Sequence, residues 1–320
     1  MKKEQIPVTV FTGYLGSGKT TVILHLLKSL PEDYKVVLIK NEFGNVDVDG
    51  QLARDSHVEV REVMNGCICC VLVGKLNKAI KEMIDAEHPD RIIIETSGSA
   101  YPGPIALELK RIDEVYTDGI VSVVDALNFP GYQDKSVTAK MQMQFTDLIL
   151  INKHEGVDEY QIEHVLDDVY ELNPTTLKVK TDKGVVSPDL IFGIDSKLGE
   201  FLAEHESELL KRDVHHHNEV DVLEVHTQKQ FERKDLAERI ESLSKSFYRV
   251  KGFCRDEKGS FAVNCVNKRC GIEEITHEFE MTSLVMMGEG IHDHPEYVEK
   301  ALGVESHEVK LIVDEEHHHH

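Results

Sequence analysis

Residues 13–20 read Gly-Tyr-Leu-Gly-Ser-Gly-Lys-Thr and satisfy every fixed position of the pattern G-x-x-x-x-G-K-[ST]. An apolar, β-branched run precedes them at residues 7–12, and apolar side chains spaced three and four apart follow from Lys19 to Leu30. This order predicts a strand, a glycine-rich turn and a helix. Such a turn at a helix N-terminus favours anions, because its backbone N–H groups and the helix dipole both point toward them. The sequence therefore predicts a phosphate-binding loop.

Each residue type in this loop has its own chemical role. Glycine lets the backbone N–H groups curl around phosphate oxygens, where a Cβ would obstruct them. Lys19 is expected to reach the β- and γ-phosphates, and the Thr20 hydroxyl is expected to hold Mg²⁺. The alternative is a plain glycine-rich turn that carries a lysine by chance. The residues predicted to bind phosphate here are Gly13, Gly16, Ser17, Gly18, Lys19 and Thr20.

The alternation of strand-like and helix-like runs continues beyond the loop. Strands are predicted at residues 35–41, 91–95, 119–125, 147–152 and 176–180, and helices at residues 72–86 and 159–172. Near-continuous apolar runs such as Ile92-Ile93-Ile94 suit strands that are buried on both faces. The predicted fold class is therefore α/β, a P-loop nucleotidase with a mostly parallel, doubly wound sheet.

The second half of the chain has a different pattern. Strands are predicted at residues 220–227, 248–253, 260–266, 271–279, 283–288 and 308–313, and helices at residues 231–243 and 295–302. This indicates a smaller α+β domain with an antiparallel sheet. The predicted organisation is a P-loop domain at 1–200, a His-containing linker at 201–218, a C-terminal α+β domain at 219–314 and a probable tag remnant at 317–320.

Charge and composition exclude several classes of protein. The formal net charge of −22 repels phosphate backbones and anionic lipids, which argues against nucleic acid or a membrane as partner. No apolar run reaches the roughly 18 residues that a membrane span needs, and residues 1–5 lead into a strand without a signal peptide. The six cysteines favour metal or redox use in a reducing compartment over a disulfide framework. We therefore expect a cytoplasmic protein that is a monomer or a weak homo-oligomer.

A second loop predicts the base of the nucleotide. Asn152-Lys153-His154-Glu155 follows the predicted strand at 147–152, where guanine-specific nucleotidases usually carry Asn-Lys-x-Asp. The carboxylate there accepts hydrogen bonds from the guanine N1–H and exocyclic amine, which adenine cannot supply. Glu155 keeps the charge but reaches one methylene further. Guanine is therefore the predicted base, and a solvated loop is the alternative.

Two further segments suit the γ-phosphate side of the site. Glu95 ends a predicted strand, so its carboxylate can hold Mg²⁺ directly or through water. Gly98, three residues later, can offer its N–H to the γ-phosphate. Asn41-Glu42-Phe43-Gly44 also follows a strand and is interpreted as a switch loop.

Cys67, Cys69 and Cys70 lie just before a predicted helix. The helix dipole lowers thiol pKa values there, and thiolates select zinc, copper(I) or iron–sulfur centres over magnesium or calcium. One segment supplies at most three ligands, whereas structural zinc sites are closed by four. The cluster therefore predicts a metal that can be exchanged. The alternatives are a redox pair and buried inert thiols.

Other groups of ligand-type residues carry weaker predictions. His215-His216-His217 is interpreted as a solvated linker or a loose metal-collecting tether. His292-Asp293-His294 is a possible ligand pair. The remaining cysteines are expected to be buried as small apolar side chains, with a second zinc site as the alternative; they are Cys254, Cys265 and Cys270.

The motifs together resemble the CobW-like metallochaperone GTPases over nearly the whole chain. Arg249-Val250-Lys251-Gly252 resembles a segment of that family's C-terminal domain. The motifs that carry the resemblance in the first half are Gly16-Ser17-Gly18-Lys19-Thr20-Thr21, Asn41-Glu42-Phe43-Gly44, Cys67-x-Cys69-Cys70, Glu95-x-x-Gly98 and Asn152-Lys153.

The resemblance implies slow GTP hydrolysis coupled to delivery of a transition metal, often zinc and otherwise cobalt or nickel, to client apo-metalloproteins. It implies that residues 16–21, Thr21 included, bind the phosphates of GTP or GDP and that Asn152 and Lys153 frame the base. The implied catalytic residues are Lys19, Thr20 and Glu95, and the implied metal ligands are Cys67, Cys69 and Cys70.

The chain departs from the family pattern beside the switch loop. Many members carry an acidic residue just before and just after that segment, where this chain has Lys40 and Asn45. If those acids complete metal or magnesium coordination, Glu42 or Asp47 must replace them here. Two other functions stay open at this point: a GTP-binding, zinc-sensing regulator that delivers nothing, and a P-loop metabolite kinase.

Overall fold

The structure is a computed structural model. It describes residues 5–40, 58–62, 73–96, 98, 102–129, 143–193, 220–243, 246–267, 269–275 and 277–312. The chain divides into two compact units, Met1–Ile191 and Phe192–His320. The predicted linker at 201–218 and tag remnant at 317–320 lie outside the described residues and stay predictions.

The described strands of the first unit form one seven-stranded sheet in the order β3-β2-β4-β1-β5-β6-β7. Every neighbouring pair in it is parallel, as the sequence predicted. The strands are β1 (Ile6–Thr12), β2 (Val36–Lys40), β3 (Val58–Glu62), β4 (Arg91–Glu95), β5 (Val115–Asp125), β6 (Leu148–Asn152) and β7 (Leu177–Thr181).

Helices connect these strands and cover the sheet. Residues of β2, β4 and β6 are buried throughout, because helices on both faces exclude water from them. One apolar cluster joins Ile39 and Ile94 of the sheet to Ile80 of a helix. The helices are α1 (Lys19–Lys28), α2 (Val73–Glu87), α3 (Gly103–Leu109), α4 (Glu159–Leu172) and α5 (Pro188–Ile191), with a 3₁₀ turn at His154–Gly156.

A buried ion pair lies near the amino ends of the strands. The Arg91 guanidinium donates to the Asp118 carboxylate at 2.6 Å, to the Thr9 hydroxyl at 3.1 Å and to the Tyr34 hydroxyl at 3.2 Å. The Arg91 side chain is 0% exposed and that of Asp118 is 1% exposed. These partners satisfy a charge that would otherwise be costly to bury.

The described strands of the second unit form a six-stranded antiparallel sheet in the order β11-β10-β9-β12-β8-β13. Helices α6 (Arg233–Glu241) and α7 (Pro295–Leu302) contribute Leu236 and Val298 to its apolar core. This agrees with the predicted α+β domain. The strands are β8 (Asp221–Thr227), β9 (Phe247–Asp256), β10 (Gly259–Val266), β11 (Arg269–Glu274), β12 (Thr282–Gly288) and β13 (Val309–Ile312), with a 3₁₀ turn at Ser306–Glu308.

The cysteines of the second unit correct one expectation. Cys254 is buried, as expected, and burial raises the pKa of its thiol. Cys265 and Cys270, however, form a disulfide, so the expectation of separate apolar thiols is wrong for this pair. The physical reason is the antiparallel register, which places Cys265 directly opposite Cys270 on β10 and β11.

His292 and His294 do not converge on one ligand position. The two ring nitrogens of His292 face Asp221 at 2.7 Å and Asp293 at 3.2 Å, whereas His294 faces Glu296 at 3.1 Å. Hydrogen bonding and charge from Asp221 raise the pKa of His292. This favours an ion pair over a metal ligand.

Within the described part of the chain, no helix is long and apolar enough to cross a membrane.

Candidate nucleotide and magnesium site

The carboxyl ends of the central strands define the candidate site. In open parallel sheets, ligands bind in the crevice outside these ends. The phosphate loop follows β1, and the neighbouring strands β4, β5 and β6 end at Glu95, Asp125 and Asn152. The sheet order therefore brings the residues of several separate sequence motifs to one edge.

The phosphate loop needs glycine at two close approaches. Gly13 has φ +134°, and a Cβ there would lie 2.2 Å from the carbonyl oxygen of Val123 on β5. Gly18 has φ +98° and precedes α1 as its N-cap, and a Cβ there would lie 2.2 Å from Nδ2 of Asn152. Gly13 thus combines positive φ with contact to the backbone of β5, whereas Gly18 combines positive φ with contact to the Asn152 side chain; positive φ favours glycine at both positions.

Lys19 and Ser17 place polar atoms inside this loop. The buried Lys19 ammonium donates to the carbonyl oxygens of Gly13 at 2.8 Å and Tyr14 at 3.1 Å. The Ser17 hydroxyl is buried and, among the described residues, has no hydrogen-bond partner. Buried polar atoms normally have a partner, so this hydroxyl fits a loop that closes around an oxyanion.

Thr20 and Glu95 meet at the start of α1. The Thr20 hydroxyl donates to Oε1 of Glu95 at 2.6 Å, and Glu95 is buried at the end of β4. A hydroxyl and a carboxylate are both hard oxygen ligands, which Mg²⁺ prefers. The residues present therefore fit the magnesium ion that the sequence predicts. Gly98 lies against the same loop, where a Cβ would come within 2.5 Å of the Leu15 nitrogen.

Asn152 joins the base loop to the phosphate loop. Its Nδ2 donates to the carbonyl oxygen of Ser17 at 2.8 Å. Its Oδ1 accepts from the Thr181 hydroxyl at 3.1 Å and from the Gly184 N–H at 3.0 Å. Both ends of the buried amide are thus engaged by protein groups. These contacts fix the amide beside the phosphate loop, and its second N–H is not used in them.

Lys153 lies between the two loops. Its ammonium donates to the carbonyl oxygen of Gly16 at 2.6 Å and to the Asp125 carboxylate at 2.7 Å. Its backbone has φ +61°, in the left-handed region. Glu155, the predicted base-reading carboxylate, lies exposed in the 3₁₀ turn that follows.

Sequence reasoning missed Asp125, Thr181 and Gly184. Asp125 ends a predicted strand as Glu95 does, and that position was the available signal. Burial alone would raise the pKa of Asp125, but hydrogen bonds from Lys153 and Asn128 outweigh burial and lower it. Thr181 and Gly184 carry no motif, since their contribution depends on the approach of β7 to β6.

The predicted transition-metal ligands lie outside the described residues. They are Cys67, Cys69, Cys70 and Glu42, and the switch loop at 41–44 and the His215–His217 tether lie there too. The remaining predicted site residue, Thr21, lies on α1, where its Cγ2 faces Gly184. Among the described residues, no three metal-ligating side chains come together.

Residues 7–179 match the family described as CobW/HypB/UreG, nucleotide-binding domain. The chain is 36% identical over 169 residues to the zinc chaperone YjiA of Escherichia coli, a match that covers 50% of this chain and 52% of that protein. It is 32% identical over 256 residues to the zinc chaperone CobW of a Sinorhizobium species, covering 68% of this chain and 72% of that protein.

A eukaryotic relative is also similar. The chain is 30% identical over 202 residues to the zinc-regulated GTPase metalloprotein activator 1 of Saccharomyces cerevisiae, covering 54% of this chain and 47% of that protein. The match thus spans about half the length of the yeast and Escherichia coli relatives. The matched family region holds the phosphate loop, Glu95 and the base loop, and by this match the chain belongs to the CobW/HypB/UreG family.

Proposed function

We propose that this chain binds GTP with Mg²⁺, hydrolyses GTP slowly and carries a transition metal, with zinc as the first candidate, to client apo-metalloproteins. The observation that carries the proposal is the joining of three sequence motifs at one sheet edge: Asn152 and Lys153 bond to the phosphate loop, and Glu95 bonds to Thr20. Family membership and relatives named zinc chaperones support the metal.

In this proposal the phosphate end of GTP lies in the loop at residues 13–20. Lys19 exchanges its carbonyl partners for β- and γ-phosphate oxygens, which places a cation where negative charge develops. Thr20 and Glu95 would hold Mg²⁺, which would offset the negative charge of the phosphates. Gly98 offers its N–H to the γ-phosphate.

The base end lies against Lys153 and the turn that carries Glu155. The Glu155 carboxylate accepts from the guanine N1–H and exocyclic amine. Its extra methylene places this carboxylate further from the backbone than an aspartate would. Its exposed position in the turn leaves the side chain room to reach the base.

The carried metal is a substrate of the protein in this proposal. Cys67, Cys69 and Cys70 bind it as thiolates, with Glu42 as a candidate fourth ligand. Thiolate ligands favour zinc, and cobalt and nickel are the alternatives. An open three-cysteine site exchanges its ion more readily than a closed four-ligand site does.

Zinc affinity is expected to differ between the GTP-analogue and GDP states. The sequence places both the segment 41–44 and the cysteines between β2 and β4. A γ-phosphate that orders the segment 41–44 would therefore also move the cysteines. We expect at least a fivefold difference, on the order of 1 kcal/mol of coupling. Competition titration with a zinc-binding dye measures it, on protein without the terminal histidines, which bind metal themselves.

The matched control replaces all three cysteines by serine. Cys67→Ser, Cys69→Ser and Cys70→Ser together are expected to remove the nucleotide-sensitive zinc and leave GDP affinity unchanged. Equal zinc affinities in the two nucleotide states would end the coupling hypothesis. Unchanged zinc binding in the triple variant would place the metal elsewhere.

Intrinsic GTP turnover is expected to be slow. The motifs of this sequence offer no obvious water-orienting glutamine or arginine finger, so the rate should lie near that of unassisted small GTPases, ~10⁻³ s⁻¹. Phosphate release under single-turnover conditions measures it. Many turnovers per second from the purified chain would contradict the proposed carrier cycle.

A further inference from the structure

The Asp125 carboxylate lies beneath the base loop and is almost wholly buried. Its Oδ2 accepts from the Lys153 ammonium at 2.7 Å and from Nδ2 of Asn128 at 2.8 Å. Its Oδ1 accepts from the backbone N–H groups of Leu127 at 3.1 Å and Asn128 at 3.3 Å. These hydrogen bonds hold both carboxylate oxygens in one orientation.

Lys153 is held from two sides. Its ammonium bridges Asp125 and the carbonyl oxygen of Gly16, which uses two of its three donors. The strand register places Asp125 opposite Asn152, the residue before this lysine. The Lys153 side chain is still 34% exposed. Its ammonium is therefore fixed while part of the side chain stays accessible to a ligand.

We propose that Asp125 is a positioning residue for the nucleotide base, acting through Lys153. By fixing the ammonium, it holds the aliphatic stem of Lys153 as a preformed surface for the base and ties that surface to the phosphate loop at Gly16. The inference rests on the proposed guanine nucleotide. Pre-organisation of this kind raises affinity because the lysine rotamers are already restricted before the ligand binds.

A purely structural role for Asp125 predicts a different outcome. In that case its main contribution is the Oδ1 contact to the backbone N–H groups of Leu127 and Asn128. Asp125→Asn separates the two roles, because an amide oxygen can still accept from those groups. Its Nδ2, however, would face the Lys153 ammonium, so a donor would replace an acceptor.

The test measures GDP and ADP affinities by calorimetry in the presence of Mg²⁺. For Asp125→Asn we expect GDP affinity to fall about tenfold or more, as for the loss of a charge-assisted hydrogen bond. ADP lacks the N1–H and exocyclic amine that Glu155 is proposed to accept from, so it gains less from a correctly placed base; its affinity should change less, and the preference for GDP should shrink. Lys153→Met should have the same effect, and the double variant should be no worse than Lys153→Met alone, since both changes break one interaction.

Asp147→Asn is the matched control. Asp147 is also buried, but it lies at the opposite end of β6, where its Oδ2 accepts from the Ile120 N–H at 2.9 Å. This variant is expected to lower thermal stability and keep the GDP-to-ADP preference. A loss of preference equal to that of Asp125→Asn would show that any buried aspartate has this effect and would overturn the proposal.

The outcomes separate the inference from the proposed function. A wild-type chain without preference for GDP over ADP contradicts the guanine assignment itself. If the wild type prefers GDP and Asp125→Asn keeps that preference, the positioning role alone is overturned. If Asp125→Asn does not fold, the double variant with Lys153→Met decides, because it removes both charges and leaves neither of them buried without a partner; unchanged GDP affinity in the double variant also overturns the inference.

Discussion

Replacement of Gly13 by alanine is expected to weaken nucleotide binding severely. The added Cβ would lie 2.2 Å from the Val123 carbonyl oxygen, at a backbone φ of +134° that alanine rarely adopts. Val123 cannot retreat easily, because it belongs to β5, which is paired with both β1 and β6. The loop must therefore move, and we expect GDP affinity to fall by more than about 100-fold, or roughly 2.7 kcal/mol. Calorimetric titration with GDP and Mg²⁺ measures this.

Gly290→Ala is the matched control for backbone strain alone. Gly290 also has positive φ, +66°, but no atom lies within 4 Å of its added Cβ. This variant should lose about 1–2 kcal/mol of stability and keep its GDP affinity. GDP binding by Gly13→Ala within tenfold of wild type would show that the loop can relax away from β5.

The second large effect, a loss in the free energy of unfolding, is expected for Asp118→Asn. This change leaves the Arg91 guanidinium, which is 0% exposed, without its carboxylate partner at 2.6 Å. Removing one partner of a buried ion pair typically costs about 3–5 kcal/mol, because the other charge stays buried. Urea denaturation of the wild type and the variant, followed by circular dichroism, measures the free energy of unfolding.

Glu82→Gln provides the comparison for an exposed pair. Glu82 faces Lys78 at 3.6 Å on α2, and the two side chains are 67% and 80% exposed. Water and salt screen such pairs, so the change in unfolding free energy should stay within about 0.5 kcal/mol. A similarly small loss in Asp118→Asn would mean that the remaining partners of Arg91, the Thr9 and Tyr34 hydroxyls among them, suffice to hold it.

Local sequence patterns predicted most of the first unit because its strands are short, apolar and separated by amphipathic helices. Strand β4 begins and ends where the pattern placed it, at Arg91–Glu95. Strand β3 was missed because Val58-Glu59-Val60-Arg61-Glu62 alternates with charged residues and lies at the sheet edge. The Cys265–Cys270 disulfide was missed because the register of β10 and β11 is a tertiary property.

The candidate site was predicted where a motif carries its own chemistry. Thr20 and Glu95 were assigned to magnesium separately, and the structure places them in contact. Asn152 was assigned to the base, and that assignment stays a prediction; its bonds to Ser17 and to the segment after β7 carry no motif and were not predicted. Asp125 was missed because a single carboxylate at a strand end has no motif, and its contribution arises only once Lys153 lies against it.

The amide of Asn152 has a kinetic consequence for the bound nucleotide. Because this side chain bonds to the carbonyl of Ser17 and to the N–H of Gly184, it couples the phosphate loop directly to the segment after β7. Movement of that segment should then disturb the phosphate loop and change the rate at which the nucleotide is released.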